Sequence, residues 1–159
     1  MTQETQKTVA AADLPARGQP LAGGKFVTRY WLGNQERALV LLDSELSGEY
    51  GDYGQDIPGA ASYSDGEANT RAMAEAGSVI AKQALELDAF IPSCLEGQLL
   101  MAAKAEGLVE LREDRWHYMS TQYSANYAYY MGFEDGWLGS YLGKSIERLV
   151  RPVRSLIIQ

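Results

Sequence analysis

Aromatic and small polar residues dominate the C-terminal stretch 116–154, and this stretch constrains the fold more than any other part of the chain. Residues 127–133, Tyr-Ala-Tyr-Tyr-Met-Gly-Phe, alternate with the period of two that a β-strand needs. Residues 134–136, Glu-Asp-Gly, then supply a turn, because glycine takes positive φ at no steric cost. Residues 137–141 resume the alternation. The stretch therefore predicts a β-hairpin.

The composition of this hairpin has two interpretations. Tyr, Ser, Gly and Asn are the residues that binding loops use, because the rings offer contact area at low entropy cost and the small polar groups adapt their hydrogen bonds. The alternative is the wall of a β-sheet core, since tyrosine is intermediate in its tendency to be buried. The residues alone leave both interpretations open.

Length and charge limit the classes of protein to which the chain can belong. Its 159 residues suit one domain, and its net charge of −7 argues against nucleic acid or an anionic membrane as a partner. The single cysteine, Cys94, forms no internal disulfide, so nothing calls for an oxidising compartment. The sequence shows neither a transmembrane run nor a signal peptide. We therefore expect a protein made in the cytoplasm, which acts outside the cell only by another route, such as incorporation into a particle.

The N-terminal residues 1–20 are polar, rich in Ala and punctuated by Pro, and they lack the spaced apolar residues of a core element. They predict a flexible or extended arm, which is either a disordered tail or a segment that orders when it docks on a partner. A single domain is expected over residues 21–159. It opens with a predicted hairpin of strands 25–31 and 37–43, which a Gly-Asn turn signal separates.

Residues 47–65 form a long loop that contains four glycines, three tyrosines and three aspartates. Long ordered loops tend to be functional, and an Asp-rich loop raises the hypothesis of a calcium site, because Ca²⁺ takes several oxygen ligands. The spacing of the acids matches no EF-hand. Turn-forming, solvated aspartates are the alternative, and we predict neither a metal nor a cofactor.

Two helices are predicted between residues 65 and 107. Small and apolar residues recur at helical spacing over 67–87, with Asp65 or Ser64 as the N-cap and the Gly-Ser pair at 77–78 as a point of interruption. The second helix begins after Ser93, where Glu96 completes a capping box, and it ends at Gly107. Helices and strands in this order predict the α+β class.

Three segments, in this order along the chain, resemble a known family. Residues 90–96, Phe-Ile-Pro-Ser-Cys-Leu-Glu, resemble the Arg-Leu-Pro-Thr…Glu-Leu signature that begins the second helix of a C-type-lectin-like family. Trp116 followed by residues 120–124, Ser-Thr-Gln-Tyr-Ser, resembles that family's Trp-Ser-Ser-Thr-Glu-Tyr-Ser segment. The match is completed by Ala128, Phe133, Gly136 and the terminal residues 150–154, Val-Arg-Pro-Val-Arg.

The family is the collagen-like adhesin C-terminal domain, a relative of phage tropism determinants and of the formylglycine-generating-enzyme fold. The resemblance covers about residues 20–159 and implies a C-type-lectin-like fold, with two helices packed on small antiparallel sheets and with long loops. In such a fold Trp116 and Phe133 would fill the core. Arg151 and Arg154 would pair with carboxylates or loop carbonyls. The long loop and residues 65–70 resemble versions of the domain that are encoded near phage tail genes.

The resemblance and the aromatic hairpin together predict a bacteriophage virion protein, of the tail-fibre or tail-tip type, that binds a polysaccharide or protein of the bacterial surface. The alternative is a structural virion protein, a capsid decoration or baseplate adaptor, which binds only other virion proteins through its N-terminal arm. Phage adhesins of this type imply a homo-oligomer in the virion, with a trimer favoured. The expected ligand contacts are Tyr123, Asn126, Tyr127, Tyr129, Tyr130, Glu134, Asp135, Trp137 and Tyr141.

We predict no enzymatic activity. The formylglycine-generating relatives need a reactive cysteine pair, whereas this chain has only Cys94. His117 is the single histidine, which excludes a multi-histidine metal site, and no nucleophile elbow accompanies it. The 21 acidic residues leave a paired-carboxylate site open by count, but none lies in a recognisable setting.

Overall fold

The computed structural model describes residues 7–159 and shows an α+β fold of two five-stranded sheets and three α-helices. The helices are α1 Gly66–Glu75, α2 Val79–Glu86 and α3 Cys94–Ala105, and a short 3-10 helix covers Ala11–Asp13. The strands are β1 Thr8–Val9, β2 Pro20–Leu21, β3 Gly24–Leu32, β4 Gln35–Leu41, β5 Leu46–Gly48, β6 His117–Gln122, β7 Tyr127–Gly132, β8 Trp137–Gly143, β9 Arg148–Val150 and β10 Val153–Ile158.

The first sheet has the strand order β1-β10-β4-β3-β2, and the second sheet has the order β5-β9-β6-β7-β8. Neighbouring strands are antiparallel except in the pairs β1–β10 and β6–β9. Both predicted hairpins are confirmed, since β3 pairs with β4 and β7 pairs with β8. Because β1 and β10 are neighbours, the two ends of the described chain lie side by side on the first sheet.

The predicted helix over residues 67–87 is two helices, so the fold has three helices where two were expected. Asp65 caps α1 by accepting a hydrogen bond from the amide of Ala68 at 3.0 Å. Gly77 then adopts φ 99°, a left-handed conformation that favours glycine and ends the helix. Ser78 caps α2 through its side chain. The Gly-Ser pair therefore separates the two helices, at the predicted point of interruption.

The predicted capping box of α3 is confirmed, and its glutamate also joins three elements. Glu96 is 1% exposed, and its Oε1 accepts hydrogen bonds from the amides of Ser93 at 2.9 Å and Gly66 at 3.0 Å. Its Oε2 accepts the hydroxyl of Tyr30 at 2.7 Å. Burial raises the pKa of this carboxyl, although the three hydrogen bonds oppose the shift. One side chain thus connects α1, α3 and β3.

Three clusters of buried side chains form the core. The first surrounds Leu100 of α3 and includes Leu39 of the first sheet and Phe133, as expected for that aromatic residue. The second cluster packs α1 and α2 against the second sheet and contains Met73 of α1 and Tyr118 of β6. The third covers the other face of the first sheet. None of the helices within residues 7–159 is long and apolar enough to cross a membrane.

Residues 7–20, which belong to the expected N-terminal arm, lie on the chain's own first sheet. Strand β1 pairs in parallel with β10, and Val9 is buried in the third core cluster. The amide of Gln159 donates to the carbonyl of Val9 at 2.9 Å, and the amide of Gly18 donates to the carbonyl of Phe26 at 2.6 Å. This part of the arm is therefore folded structure. Residues 1–6 of the expected arm lie outside the described residues.

The two arginines of the C-terminal motif bind backbone carbonyls, which is one of the two kinds of partner expected for them. Arg151 donates to the carbonyls of Leu42, Ser44 and Glu110 at 2.7–3.3 Å. Arg154 donates to three carbonyls, those of residues 22, 87 and 88, at 2.5–3.1 Å. Each guanidinium therefore ties the end of the chain to loops that come from distant parts of the sequence.

Candidate functional site

The aromatic hairpin of β7 and β8 is held in a defined register. Tyr130 lies opposite Gly139, and Gly132 lies opposite Trp137. The turn between the strands is closed by a hydrogen bond from the amide of Gly136 to the carbonyl of Gly132 at 2.8 Å. The carboxylate of Asp135 accepts the amide of Trp137 at 3.0 Å, which fixes the start of β8.

Four rings gather on one face of this hairpin, and we call them the aromatic cluster: Trp116, Tyr130, Trp137 and Tyr141. The ring centroids of Trp116 and Trp137 are 5.5 Å apart, and those of Trp116 and Tyr130 are 5.1 Å apart. All contacts are edge-to-face, the arrangement that aromatic quadrupoles prefer. Tyr130 is buried at the base, whereas Trp116 is 38%, Trp137 48% and Tyr141 64% exposed. The cluster therefore presents a broad ring surface to solvent.

Two glycines allow these rings to lie flat on the sheet. A Cβ atom on Gly132 would come within 2.6 Å of the indole of Trp116, and a Cβ on Gly139 would overlap the ring of Tyr130. Any side chain at either position would displace the ring above it, because real Cβ contacts are not this short. The rings are thus positioned by the backbone of two paired strands, which is more rigid than a loop.

A cleft of about 270 Å³ opens beside the two indoles, and acidic residues surround it. Glu113 forms an ion pair with Lys104 at 2.5 Å, and Asp114 forms one with Arg112 at 2.9 Å. The hydrogen bond from Arg112 lowers the pKa of Asp114, so this carboxyl is ionised at neutral pH. The residues that line the cleft are Glu113, Asp114, Arg115, Trp116, Gly132, Glu134, Asp135 and Trp137.

The nine expected contact residues fall into two groups. Tyr130, Glu134, Asp135, Trp137 and Tyr141 lie in the aromatic cluster or beside its cleft. Tyr129 points to the opposite face from Tyr130, because consecutive residues of a strand alternate. It packs against the first core cluster.

The second group forms a separate tyrosine patch near the other end of β7. The patch comprises Tyr123, Asn126, Tyr127 and Tyr129, together with Tyr53 of the long loop. The ring centroids of Tyr123 and Tyr129 are 5.6 Å apart, and those of Tyr53 and Tyr127 are 6.3 Å apart. Within the described chain, no contact between aromatic rings joins this patch to the aromatic cluster.

Sequence reasoning missed one member of the cluster. The expectation that Trp116 fills the core is wrong, since this side chain is 38% exposed and forms one wall of the cleft. The sequence does contain a usable signal, because Gly132 falls on β7 where a large side chain would be typical of a core strand. A glycine in a strand interior marks a place where another group approaches closely.

A buried lysine holds the long loop against the second sheet. Lys144 is 0% exposed, and its Nζ donates to the carbonyl of Gln55 at 2.6 Å and to Oε1 of Gln122 at 2.7 Å. Gln122 in turn donates through Nε2 to the carbonyl of Ile57 at 2.7 Å. Burial lowers the pKa of Lys144, and no carboxylate pairs with it in the described chain. Hydrogen bonds to neutral oxygens satisfy this ammonium.

For the long loop, residues 47–65, a calcium site was one of the two hypotheses. Within residues 7–159 no three or more side chains of Asp, Glu, His or Cys come together in a group that could hold a metal ion. In this loop the carbonyl of Gln55 accepts a hydrogen bond from a protein cation, the ammonium of Lys144.

The two side chains on which catalysis could have depended are both buried. Cys94 is 0% exposed, and burial raises the pKa of its thiol to about 11, which keeps it protonated and weakly nucleophilic at neutral pH. His117 is also 0% exposed, and burial lowers its pKa to about 4. Neither side chain reaches the aromatic surface, and we assign neither a catalytic role.

No family model matches this sequence, and no curated protein matches it significantly. The site is therefore interpreted from its own geometry, charge and exposure.

Proposed function

We propose that this protein is a host-surface binding module of a bacteriophage virion, of the tail-fibre or tail-tip type. The observation that carries the proposal is the aromatic cluster, in which Trp116, Trp137 and Tyr141 expose ring surface beside an acidic cleft. Large contiguous apolar patches with a polar rim are uncommon on soluble proteins and mark interaction sites. Tryptophan and tyrosine are also the residues that dominate binding energy at such sites.

The chemistry of the cluster suits a carbohydrate of the bacterial surface. Ring faces stack on the apolar faces of sugars, and the carboxylates of Glu134 and Asp135 can accept hydrogen bonds from hydroxyl groups. Because Gly132 and Gly139 allow the rings to pack against the sheet, little side-chain freedom is lost on binding. A site that is ordered in advance spends less of its interaction energy on ordering itself.

We further propose that the domain has the C-type-lectin-like fold of the collagen-like adhesin C-terminal family. Two mostly antiparallel sheets, helices packed against them and a long ordered loop support this proposal. The resemblance implies two helices, whereas the structure has three, because the first predicted helix is divided into α1 and α2. It lies far in sequence from the aromatic hairpin and leaves the site unchanged.

The alternative function, a structural virion protein that binds only other virion proteins, rests on a free N-terminal arm. Residues 7–20 lie on the first sheet through β1 and the 3-10 helix, so this segment does not offer a free docking peptide. We therefore favour the binding module, carried in the virion and attached to other virion proteins.

We expect the module to be a homo-oligomer in the virion, with a trimer favoured. Copies of one weak carbohydrate site on the same particle raise the overall avidity for a repetitive surface. Light scattering on the purified protein measures the number of copies directly.

The test of the proposed function is binding of the fluorescently labelled protein to cells of the phage host. Saturable binding that excess unlabelled protein displaces is expected, and antibody labelling of particles should place the protein at the tail. A folded protein that shows no saturable binding to host cells, yet is present in particles, would contradict the proposal and favour the structural alternative.

A further inference from the structure

We propose that the cleft beside Trp116 and Trp137 selects an amine-bearing sugar of the host polysaccharide, whose protonated amino group meets the acidic rim while its ring stacks on an indole. This inference rests on the proposed function, because it names the ligand class of the same site. Three observations carry it: the geometry of the indoles, the charge of the lining and the size of the cleft.

The two indoles meet at an angle, and each is partly exposed to solvent. Their ring centroids are 5.5 Å apart and their planes are inclined by 60°, so the pair forms a corner. The face of an aromatic ring carries negative electrostatic potential, and tryptophan attracts cations most strongly. No cation of the described chain occupies this corner, because the one cation–π contact within residues 7–159 joins Lys144 to Tyr50.

The lining of the cleft is acidic. Four carboxylates against one guanidinium give it a formal charge of −3, which the two cations paired with Glu113 and Asp114 reduce to −1. Lys104 and Arg112 bind Glu113 and Asp114, as described above. Glu134 has no ion pair or hydrogen bond to any described residue, and Asp135 accepts only the amide of Trp137. Two carboxylates at the hairpin turn are thus available to a ligand.

These features distinguish an amino sugar from a neutral sugar. Both can stack on an indole, and hydroxyls of both can donate to a carboxylate. Only the amino sugar adds an ammonium group, which pairs with a carboxylate through opposite charge as well as through a hydrogen bond. A cleft of about 270 Å³ accommodates a single sugar ring at the end or the edge of a polysaccharide. The negative field of the chain also raises the local concentration of cationic ligands.

The experiment titrates purified protein at low ionic strength with glucosamine, glucose and Nα-acetyl-lysine amide. Trp31 is 61% exposed near the tip of the β3–β4 hairpin on the first sheet, and it does not line the cleft. A Trp31→Ala background removes this third indole, so tryptophan fluorescence reports only on the two indoles of the cleft. We expect glucosamine to bind about ten-fold or more tightly than glucose, the ratio that an added cation–π and charge-assisted contact supplies.

A charge-neutralising variant tests the role of the rim. Glu134→Gln combined with Asp135→Asn keeps the size of both side chains and the oxygen that caps the turn, and both residues are exposed. We expect this variant to lose most of the preference for glucosamine and to keep only the share that the cation–π contact supplies, while its glucose affinity stays within about two-fold of the parent, because stacking does not depend on charge. Higher salt should reduce the preference of the parent protein for glucosamine in the same direction.

Three outcomes would overturn the inference. Equal affinity for glucosamine and glucose would exclude selection for an amine. An undiminished preference for glucosamine in the double variant would exclude the acidic rim as its cause. Tighter binding of Nα-acetyl-lysine amide than of glucosamine would point to a peptide. In each of these three cases, saturable binding to cells would leave the proposed function standing. Loss of cell binding alone would contradict the proposed function but leave the amine preference of the cleft in place.

Discussion

Among the single residues, His117 has the clearest consequence for stability. Its Nδ1 lies 3.1 Å from the carbonyl of Arg115, and its Nε2 is buried without a hydrogen-bond partner in the described chain. A carbonyl only accepts, so the neutral ring carries its proton on Nδ1. Protonation of Nε2 would place a positive charge in the core beside Phe133, which explains why burial lowers the pKa to about 4.

The histidine makes folding sensitive to acid. Below pH 6.5 the unfolded chain takes up a proton on His117, whereas the folded protein keeps the ring neutral down to about pH 4. Stability is therefore lost as the pH falls through this window, by about 3 kcal/mol for a shift of this size. Urea denaturation of the wild type and of His117→Gln between pH 7.5 and pH 4 measures this loss. We expect a flatter pH dependence for the variant, and parallel curves would contradict the assignment.

For single residues, the sequence predicted the chemical character of the side chains better than it predicted their exposure to solvent. The period-two alternation of β7 could have separated Tyr129 from Tyr130, because adjacent residues of a strand face opposite sides. The exposure of Trp116 could not be read from its own residue type, since it depends on Gly132 lying beneath the ring. Tryptophan is large and rarely fully buried, so its partner in the next strand decides how much of it is exposed.

On the scale of whole elements, Glu96 joins α1, α3 and β3 through one buried carboxyl. Glu96→Ala leaves two buried amides without their acceptor and removes one of the two acceptors of the Tyr30 hydroxyl, so we expect a loss of about 3 kcal/mol in the free energy of unfolding. Glu96→Gln keeps an oxygen for the amides and carries no charge, so its loss should stay within about 1 kcal/mol. Chemical denaturation compares the two, and equal losses would contradict this prediction, because they would show that an amide of the same size cannot replace the carboxyl of Glu96.

The long loop depends on Lys144, whose ammonium binds the loop and Gln122 together. Lys144→Met keeps the apolar stem but leaves the carbonyl of Gln55 without a donor, which costs about 2 kcal/mol locally, whereas Oε1 of Gln122 keeps the amide of Ile57 as a donor. We expect hydrogen exchange of loop amides such as that of Ile57 to accelerate ten-fold or more, while α3 stays protected. Lys82→Met, a change at an exposed lysine of α2, is the matched control. Unchanged exchange in Lys144→Met would refute this role.

Elements with local chemical signals were predictable, and elements held by distant partners were not. The capping box of Ser93 and Glu96 and the turn before Trp137 follow from residues a few positions apart. The ordering of residues 7–20 depends instead on distant strands of the first sheet, because β1 pairs with β10 and residues 18–20 bond to β3. Likewise, nothing near Lys144 in sequence announces that its ammonium is buried against residues of a loop almost ninety positions earlier.

In the whole molecule, the first sheet and the helices form a scaffold that presents the aromatic cluster on the second sheet. The two ends of the described chain meet at β1 and β10 on the first sheet, whereas the cluster lies at the hairpin of β7 and β8 on the second. Attachment to a particle through the termini is therefore compatible with a site that faces outward. The α+β class was predictable from the sequence, and the division of its tyrosines into two surfaces required the register of the strands.

The measurement that tests this account most directly is host-cell binding by three single variants of exposed aromatic residues. Trp137→Ala removes a wall of the cleft, Tyr123→Ala alters the tyrosine patch, and Trp31→Ala changes an exposed indole of the first sheet. With thermal unfolding unchanged in all three, we expect Trp137→Ala to weaken binding ten-fold or more, as at a binding hot spot, and the other two to stay within about two-fold. Normal binding by Trp137→Ala together with loss in Tyr123→Ala would place the site on the tyrosine patch and contradict the account.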